Sequence, residues 1–408
     1  MSRKHIVEQY ERLIQTAPRW YLDVNELLDV YEYYEDEGRL ADADLCLRYA
    51  LQLHPDDEML LVKQAYALRS NGRVGEATAL IDRLNPDLLE VRFFKAEEAL
   101  AAFRLDEAGR IFRDILVESV GPTPGDGADW GLHLDVAECY AAEGLWREAL
   151  HILAPVPSDA PDARNVRLLR AECLCNLNDI PSAVEEVNAA IDLDPYAVEA
   201  WGMLAELQYE TQHYVEAQES AQYALAVDAG DEKALRISFF AHIAQAQRSE
   251  ALAVARQYVA LWPDEYYLPM HAGQLCLTLN NTDEALTFLR RANATCPAGN
   301  PDRNHILALA ARLQAMKGDC EESFRTLLRT CSRTNPYDMV CVQMAALAVE
   351  SGNAPFACQR LEEVSGHITP QNGQLVASVM SLLSTYPALY AACPSTASAL
   401  RRINTSVS

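Results

Sequence analysis

Residues 176–195 read NLNDIPSAVEEVNAAIDLDP. The small residue Ala183 is followed seven positions later by Ala190 and twelve later by Pro195, with charged residues between. Apolar positions on one face and charge on the other describe an amphipathic helix, and the proline, which cannot continue one, stops it. Nearly the same pattern returns in EGRLADADLCLRYALQLHP (37–55), QHYVEAQESAQYALAVD (212–228) and NNTDEALTFLRRANATCP (280–297).

Aligning the small residue of each copy gives Ala43, Ala77, Ala108, Ala149, Ala183, Ala217, Ala251, Ala285, Ser323 and Ala357, at steps of 34, 31, 41, 34, 34, 34, 34, 38 and 34. A step of this size that keeps returning means a stack of supersecondary units. Five residues before the small residue stands a turn former in seven copies: Gly38, Gly72, Gly144, Asn178, Asn280, Gly318 and Gly352. These suit the left-handed position that ends a helix. Twelve residues before it a second small residue tends to fall, as at Ala65, Ala96, Ala137, Ala171, Ala205, Gly273, Ala311 and Ala345. Small residues on both sides let two backbones approach closely. Each unit is therefore expected to be two antiparallel helices joined by a tight turn.

The register resembles that of the tetratricopeptide repeat family. Residues 197–228, AVEAWGMLAELQYETQHYVEAQESAQYALAVD, carry that family's first-helix residues at Trp201, Leu204 and Ala205 and its second-helix alanines at Ala217 and Ala224. The resemblance covers roughly residues 22–365. It departs around Ala108, where Phe103 replaces the turn glycine. It implies an all-α fold, a right-handed α-solenoid superhelix of about ten helix pairs, with a concave groove that holds segments of partner proteins.

The expected organisation is a capping helix over 1–22, repeats 1–3 over 23–120, a Pro/Gly loop over 121–129, repeats 4–8 over 130–298, repeats 9–10 over 299–365, and a C-terminal capping helix and tail over 366–408. The loop GPTPGDGAD accounts for the step of 41, and TCPAGNPDR (295–303) for the step of 38. Each is expected to be a plain connector; the alternatives are a partner-contacting loop or a point where the superhelix curvature shifts. From Val364 to Leu400 there is no Asp, Glu, Lys or Arg. This end either folds back on the last unit or serves as a docking surface.

Chemistry is absent at the level of motif. No phosphate-cradling glycine loop, zinc-protease HExxH, GxSxG elbow or CxxC is present. No region is left over for a separate catalytic domain. The chain is expected to be non-enzymatic, with no cofactor and no metal site. The eleven cysteines, an odd number without repeated spacing, and the lack of an apolar leader suggest a cytoplasmic setting. No stretch reads as a membrane span.

The formal charge is −25, and its acidity is uneven, with net −20 over residues 1–200 and −5 over 201–408. Such a surface repels nucleic acid and anionic membrane and favours a basic protein or peptide. The position eleven residues before the aligned small residue holds Glu32, Tyr66, Glu97, Glu138, Glu172, Glu206 and Phe240 in successive copies. It lies one residue, about 100°, off the packed face. In the tetratricopeptide family that position faces the groove. Phe93, Leu134 and Leu168, four residues earlier, and Tyr209, three later, complete the candidate groove. The row reads either as an acidic, partly apolar site for a basic amphipathic segment or as helix-favouring glutamates. The lysine and asparagine of the family's carboxylate-clamp members are missing from these positions. A second functional reading is a self-assembling protein that forms a homodimer through its uncharged C-terminal end.

Overall fold

Local sequence chemistry decides where each helix ends. The computed structural model describes residues 3–16, 22–119, 130–332 and 335–407. Ten consecutive helix pairs run along them: Val24–Asp36 with Leu40–Leu53, Glu58–Ser70 with Val74–Ile81, Leu89–Ala101 with Leu105–Ser119, Gly131–Ala142 with Trp146–Leu153, Ala163–Asn176 with Ile180–Leu193, Val198–Glu210 with Tyr214–Val227, Glu232–Ala244 with Arg248–Leu261, Tyr267–Thr278 with Thr282–Thr295, Asp302–Met316 with Cys320–Leu328, and Tyr337–Glu350 with Ala354–Val364. They are called repeats 1 to 10 below. No strand occurs among the described residues.

All ten turns within the pairs have one geometry. The residue five before the aligned small residue has positive φ in every repeat: Gly38, Gly72, Phe103, Gly144, Asn178, Gln212, Ala246, Asn280, Gly318 and Gly352. Around it the amide of the left-handed residue donates to the carbonyl three back, as in Gly38 N to Glu35 O at 2.9 Å. The next amide donates to the carbonyl five back, as in Arg39 N to Tyr34 O at 2.8 Å. This is the Schellman closure, which satisfies carbonyls that the helix end would otherwise leave without donors. The sequence marks seven of the ten turns. At Phe103 (φ 55°), Gln212 (φ 65°) and Ala246 (φ 59°) an ordinary residue adopts the same strained conformation, because packing of the pair leaves no other way to close the turn.

The pairing contact follows the small residues. Ala43 is 3% exposed, and the other nine aligned residues are completely buried. The small residues twelve earlier, from Ala65 to Ala345, are equally closed where they are alanine. At Gly273 an added Cβ would stand 2.7 Å from Leu289 Cγ, so the absence of a side chain is what admits Leu289. At Ser323 the serine hydroxyl donates to the Ala311 carbonyl of the paired helix at 2.7 Å, so the polar atom is satisfied inside the contact.

The chain divides into two compact units, Met1–Leu193 and Asp194–Ser408. The first holds repeats 1–5. The helix Arg3–Thr16 covers its open end, with Ile6, Val7 and Tyr10 in one core cluster with Tyr34 and Cys46. Residues 17–21 of the expected capping segment and the loop 121–129 lie outside the described residues. The second unit holds repeats 6–10. There the TCPAGNPDR stretch is a connector between helices that end at Thr295 and begin at Asp302.

The C-terminal end of the second unit folds back on repeat 10. Leu375, Val379, Leu382, Leu383, Leu389 and Leu400 share a core cluster with Leu361 and Val364. It comprises three helices, Gly373–Thr385, Ala388–Ala392 and Pro394–Val407, where the sequence suggested one. Pro387 and Pro394 stand at helix starts, where a missing amide costs nothing. The Glu362 carboxylate of repeat 10 accepts from the amides of Ser395 (3.0 Å) and Thr396 (3.3 Å) at the start of the last helix. A negative charge there is favourable.

Candidate functional site in the first unit

The first helices of repeats 2, 3 and 4 line an open groove of about 840 Å³, with Glu32 of repeat 1 at its edge. Its apolar floor comes from Val62 and Tyr66, then Leu89, Phe93 and Leu100, then Leu132 and Cys139. These side chains are held from behind. Tyr66 meets Phe94 edge-on at 5.0 Å and Phe93 meets Phe112 at 5.7 Å, between ring centroids. The charged wall has six acids, Glu32, Glu90, Glu97, Asp135, Glu138 and Glu143, against Lys63 and Arg69.

The acids are not equivalent. Glu32 is paired with Lys63 at 3.3 Å. Glu97 is paired with Arg69 at 2.5 Å and accepts from the Tyr66 hydroxyl at 3.2 Å. The Arg69 guanidinium lies over the Tyr66 and Phe94 rings at 4.7 and 4.8 Å. Glu32 and Glu97 are thus neutralised by cations of repeat 2. Glu138 of repeat 4 and Glu172 of repeat 5 have no cationic partner among the described residues. Burial, helped by Asp135 and Glu172, raises the Glu138 carboxyl above its usual range. Burial beside Glu97 pushes the Cys139 thiol up to about 12, so it stays protonated and acts as a weak donor to Glu97 at 3.8 Å.

Of the residues singled out from the sequence, Glu32, Tyr66, Phe93, Glu97 and Glu138 are brought together around this groove. Leu134 does not line the groove and belongs to the core cluster of repeats 3–5. The lining face on repeat 4, through Leu132, Asp135, Glu138 and Ala142, is offset by one residue from that on repeat 3. Leu168 is half-buried, and Glu172 is exposed on the next first helix. Glu206, Tyr209 and Phe240 belong to the second unit. There Glu206 is paired with Lys233, and Tyr209 and Phe240 stand in an aromatic row with Tyr214, Tyr267 and His271. Sequence reasoning passed over Lys63 and Asp135. Both sit three residues before the groove position (Tyr66 and Glu138), a spacing that puts them on the same helix face. Among the described residues no group of His, Cys, Asp and Glu could hold a metal ion, and no helix is long and apolar enough to cross a membrane.

Two stretches of the chain, residues 99–173 and 241–301, match family models described as tetratricopeptide repeat. A search of the curated proteins gave no match. Similar solved structures include YrrB, described as a TPR protein with an unusual peptide-binding site. It is 16% identical over 52% of this chain and 96% of that one, with a TM-score of 0.37. A tetratricopeptide repeat protein from Parabacteroides merdae is 13% identical over 65% of this chain and 98% of its own, with a TM-score of 0.42. The pilF protein of Pseudomonas aeruginosa is 13% identical over 49% and 89%, also with a TM-score of 0.42.

Proposed function

We propose that this chain, two stretches of which match tetratricopeptide repeat models, is a protein-interaction scaffold and that the groove of its first unit holds a basic, amphipathic segment of a partner protein. The segment's apolar side packs on Tyr66, Leu89, Phe93 and Leu132, which line the groove and keep part of their surface open, and its Lys or Arg residues reach Asp135, Glu138 and Glu172. The carrying observation is the asymmetry of the carboxylates. Glu32 and Glu97 already have internal cations, whereas Glu138 and Glu172 have none among the described residues. Glu138 is exposed, yet the surrounding protein and the neighbouring Asp135 and Glu172 disfavour its charged form, and a cation from outside relieves that.

Magnitudes divide the labour. Exposed ion pairs contribute ~0–1 kcal/mol each, while apolar burial contributes ~25 cal/mol per Å². The floor therefore supplies the affinity. The acids supply orientation, with the segment's basic end over repeats 4 and 5, and a faster encounter. The groove's size lies within the ~300–1,000 Å³ of ordinary ligand clefts. A non-enzymatic, cofactor-free role and a cytoplasmic setting belong to the same reading. Self-association through the C-terminal end has less to draw on, because repeat 10 already covers Leu375, Leu382, Leu383 and Leu389.

The test is a titration of helical peptides that share one apolar face and carry lysines at one end, at the other, or glutamates instead. Lysine peptides should bind the wild type with a salt-dependent affinity. Glu138→Gln with Glu172→Gln should remove most of that dependence. Equal binding of both proteins at low salt would show that the glutamates serve only the helix.

A further inference from the structure

The two sulfurs of Cys358 and Cys393 stand 2.9 Å apart, although 35 residues separate them in the chain. Cys358 is on the second helix of repeat 10, and Cys393 is the residue between Ala388–Ala392 and Pro394–Val407. We propose that this pair is a redox modification site: a peroxide or a small-molecule disulfide converts it into an intramolecular disulfide that fastens the C-terminal helices to repeat 10.

The geometry needs little adjustment. A disulfide bond is about 2.05 Å long, so closing it takes a movement of roughly 1 Å with no rearrangement of the fold. The surroundings hold the pair in place. Glu362, four residues after Cys358, binds the amides of Ser395 and Thr396, just after Cys393. Thr396 Oγ1 also donates to the Leu361 carbonyl at 3.0 Å. Other cysteines have different partners: Cys46 donates to the Leu27 carbonyl, and Cys320 lies against Ser351 and Asn353.

The two sulfurs have distinct roles. Cys358 is half-buried and open to a reagent, whereas Cys393 is fully closed. Burial, reinforced by Cys358, pushes the Cys393 thiol up to about 12, so it is not the sulfur that reacts first. The Cys358 thiolate attacks the peroxide O–O bond, takes one oxygen as a sulfenic acid and releases water after proton uptake. The Cys393 sulfur then attacks the Cys358 sulfur. The S–S bond forms, the S–O bond breaks, and the hydroxide leaves as water with the Cys393 proton. Two thiols and one hydrogen peroxide give one disulfide and two waters. With a small-molecule disulfide, the two thiols it releases replace the waters.

The consequence is mechanical. The ends of a stacked array are where it frays, and here the capping helices shield the apolar face of repeat 10. A bond between Cys358 and Cys393 restrains the chain from repeat 10 to the last helix and keeps that face covered.

The experiment uses the full chain, incubated with oxidised glutathione or with hydrogen peroxide, then alkylated, digested and mapped by mass spectrometry. The tryptic peptide with Cys358 also contains Cys341, so fragmentation must place the bond. The exposed Cys331 reports that the reagent was active. The expected result is a Cys358–Cys393 link with loss of two hydrogens. Amide exchange over Pro394–Val407 should slow at least several-fold in the oxidised form and recover with dithiothreitol. Cys358→Ser should stay folded by circular dichroism and show neither change. Modification of Cys331 with both Cys358 and Cys393 alkylated as thiols would overturn the proposal, as would a bond at Cys341 or a link that leaves exchange unchanged.

Discussion

Replacing Phe103 by glycine should stabilise this protein. Phe103 occupies the left-handed turn position of repeat 3 at φ 55°. For a residue with a Cβ that conformation costs about 1–2 kcal/mol relative to the right-handed one. Glycine removes that cost but adds about 0.5–1 kcal/mol of backbone entropy to the unfolded chain. The difference is a gain of about 0–1.5 kcal/mol, centred on ~0.75 kcal/mol. Nothing substantial offsets it, because the Phe103 side chain is 75% exposed. The same reasoning covers Gln212→Gly and Ala246→Gly, both at exposed turns. The reverse substitution is the control. At Gly38, Gly72, Gly318 and Gly352 an added Cβ would meet nothing within 4 Å, so any loss is conformational. Gly352→Ala should cost about 1 kcal/mol. The assay is urea unfolding followed by helical circular dichroism, read as a shift in midpoint, since a stacked array need not unfold in one step. A lower midpoint for Phe103→Gly, or an unchanged one for Gly352→Ala, would refute the argument that turn conformation rather than side-chain contact sets stability at this position.

Three further outcomes are expected. Ala183→Leu, at a completely buried contact between paired helices, should overpack repeat 5 and cost ~1–3 kcal/mol in the same unfolding assay. Gly273→Ala should destabilise repeat 8, because its methyl would press on Leu289 at 2.7 Å, and Leu289→Ala in the same chain should relieve part of the strain, as a double-mutant cycle measures. Glu138→Gln should stabilise the free protein slightly, by less than about 1 kcal/mol for so exposed a group. Since the folded-state pKa of Glu138 is raised, the wild type carries its destabilisation in full above that value and sheds it as pH falls through it towards the ordinary glutamate range. The advantage of the variant should therefore be present at neutral pH and vanish in acid, and a pH series of melting temperatures checks the sign.

The sequence by itself determines the helix pair, the number of repeats and the register of the pairing contact. Each depends on residues within one or two turns of one another. A small residue every 34 positions admits the neighbouring backbone, a left-handed residue five positions earlier closes the turn, and many copies in the same phase reinforce one another. Even where the local signal fails, at Phe103, Gln212 and Ala246, the period carries the turn through. Which carboxylates are unpaired is decided only by tertiary structure. Glu32, Glu97 and Glu206 look the same in sequence as Glu138 and Glu172, yet each of the first three meets a cation from the first helix of an adjacent repeat. Those meetings depend on the rotation of one helix against the next, which a period of helix length leaves free, and an offset of one residue suffices to bury Leu134 and bring Asp135 to the groove. The approach of Cys358 to Cys393 has the same origin. It depends on how three helices without acidic side chains fold back over repeat 10, and composition says only that they are free to do so.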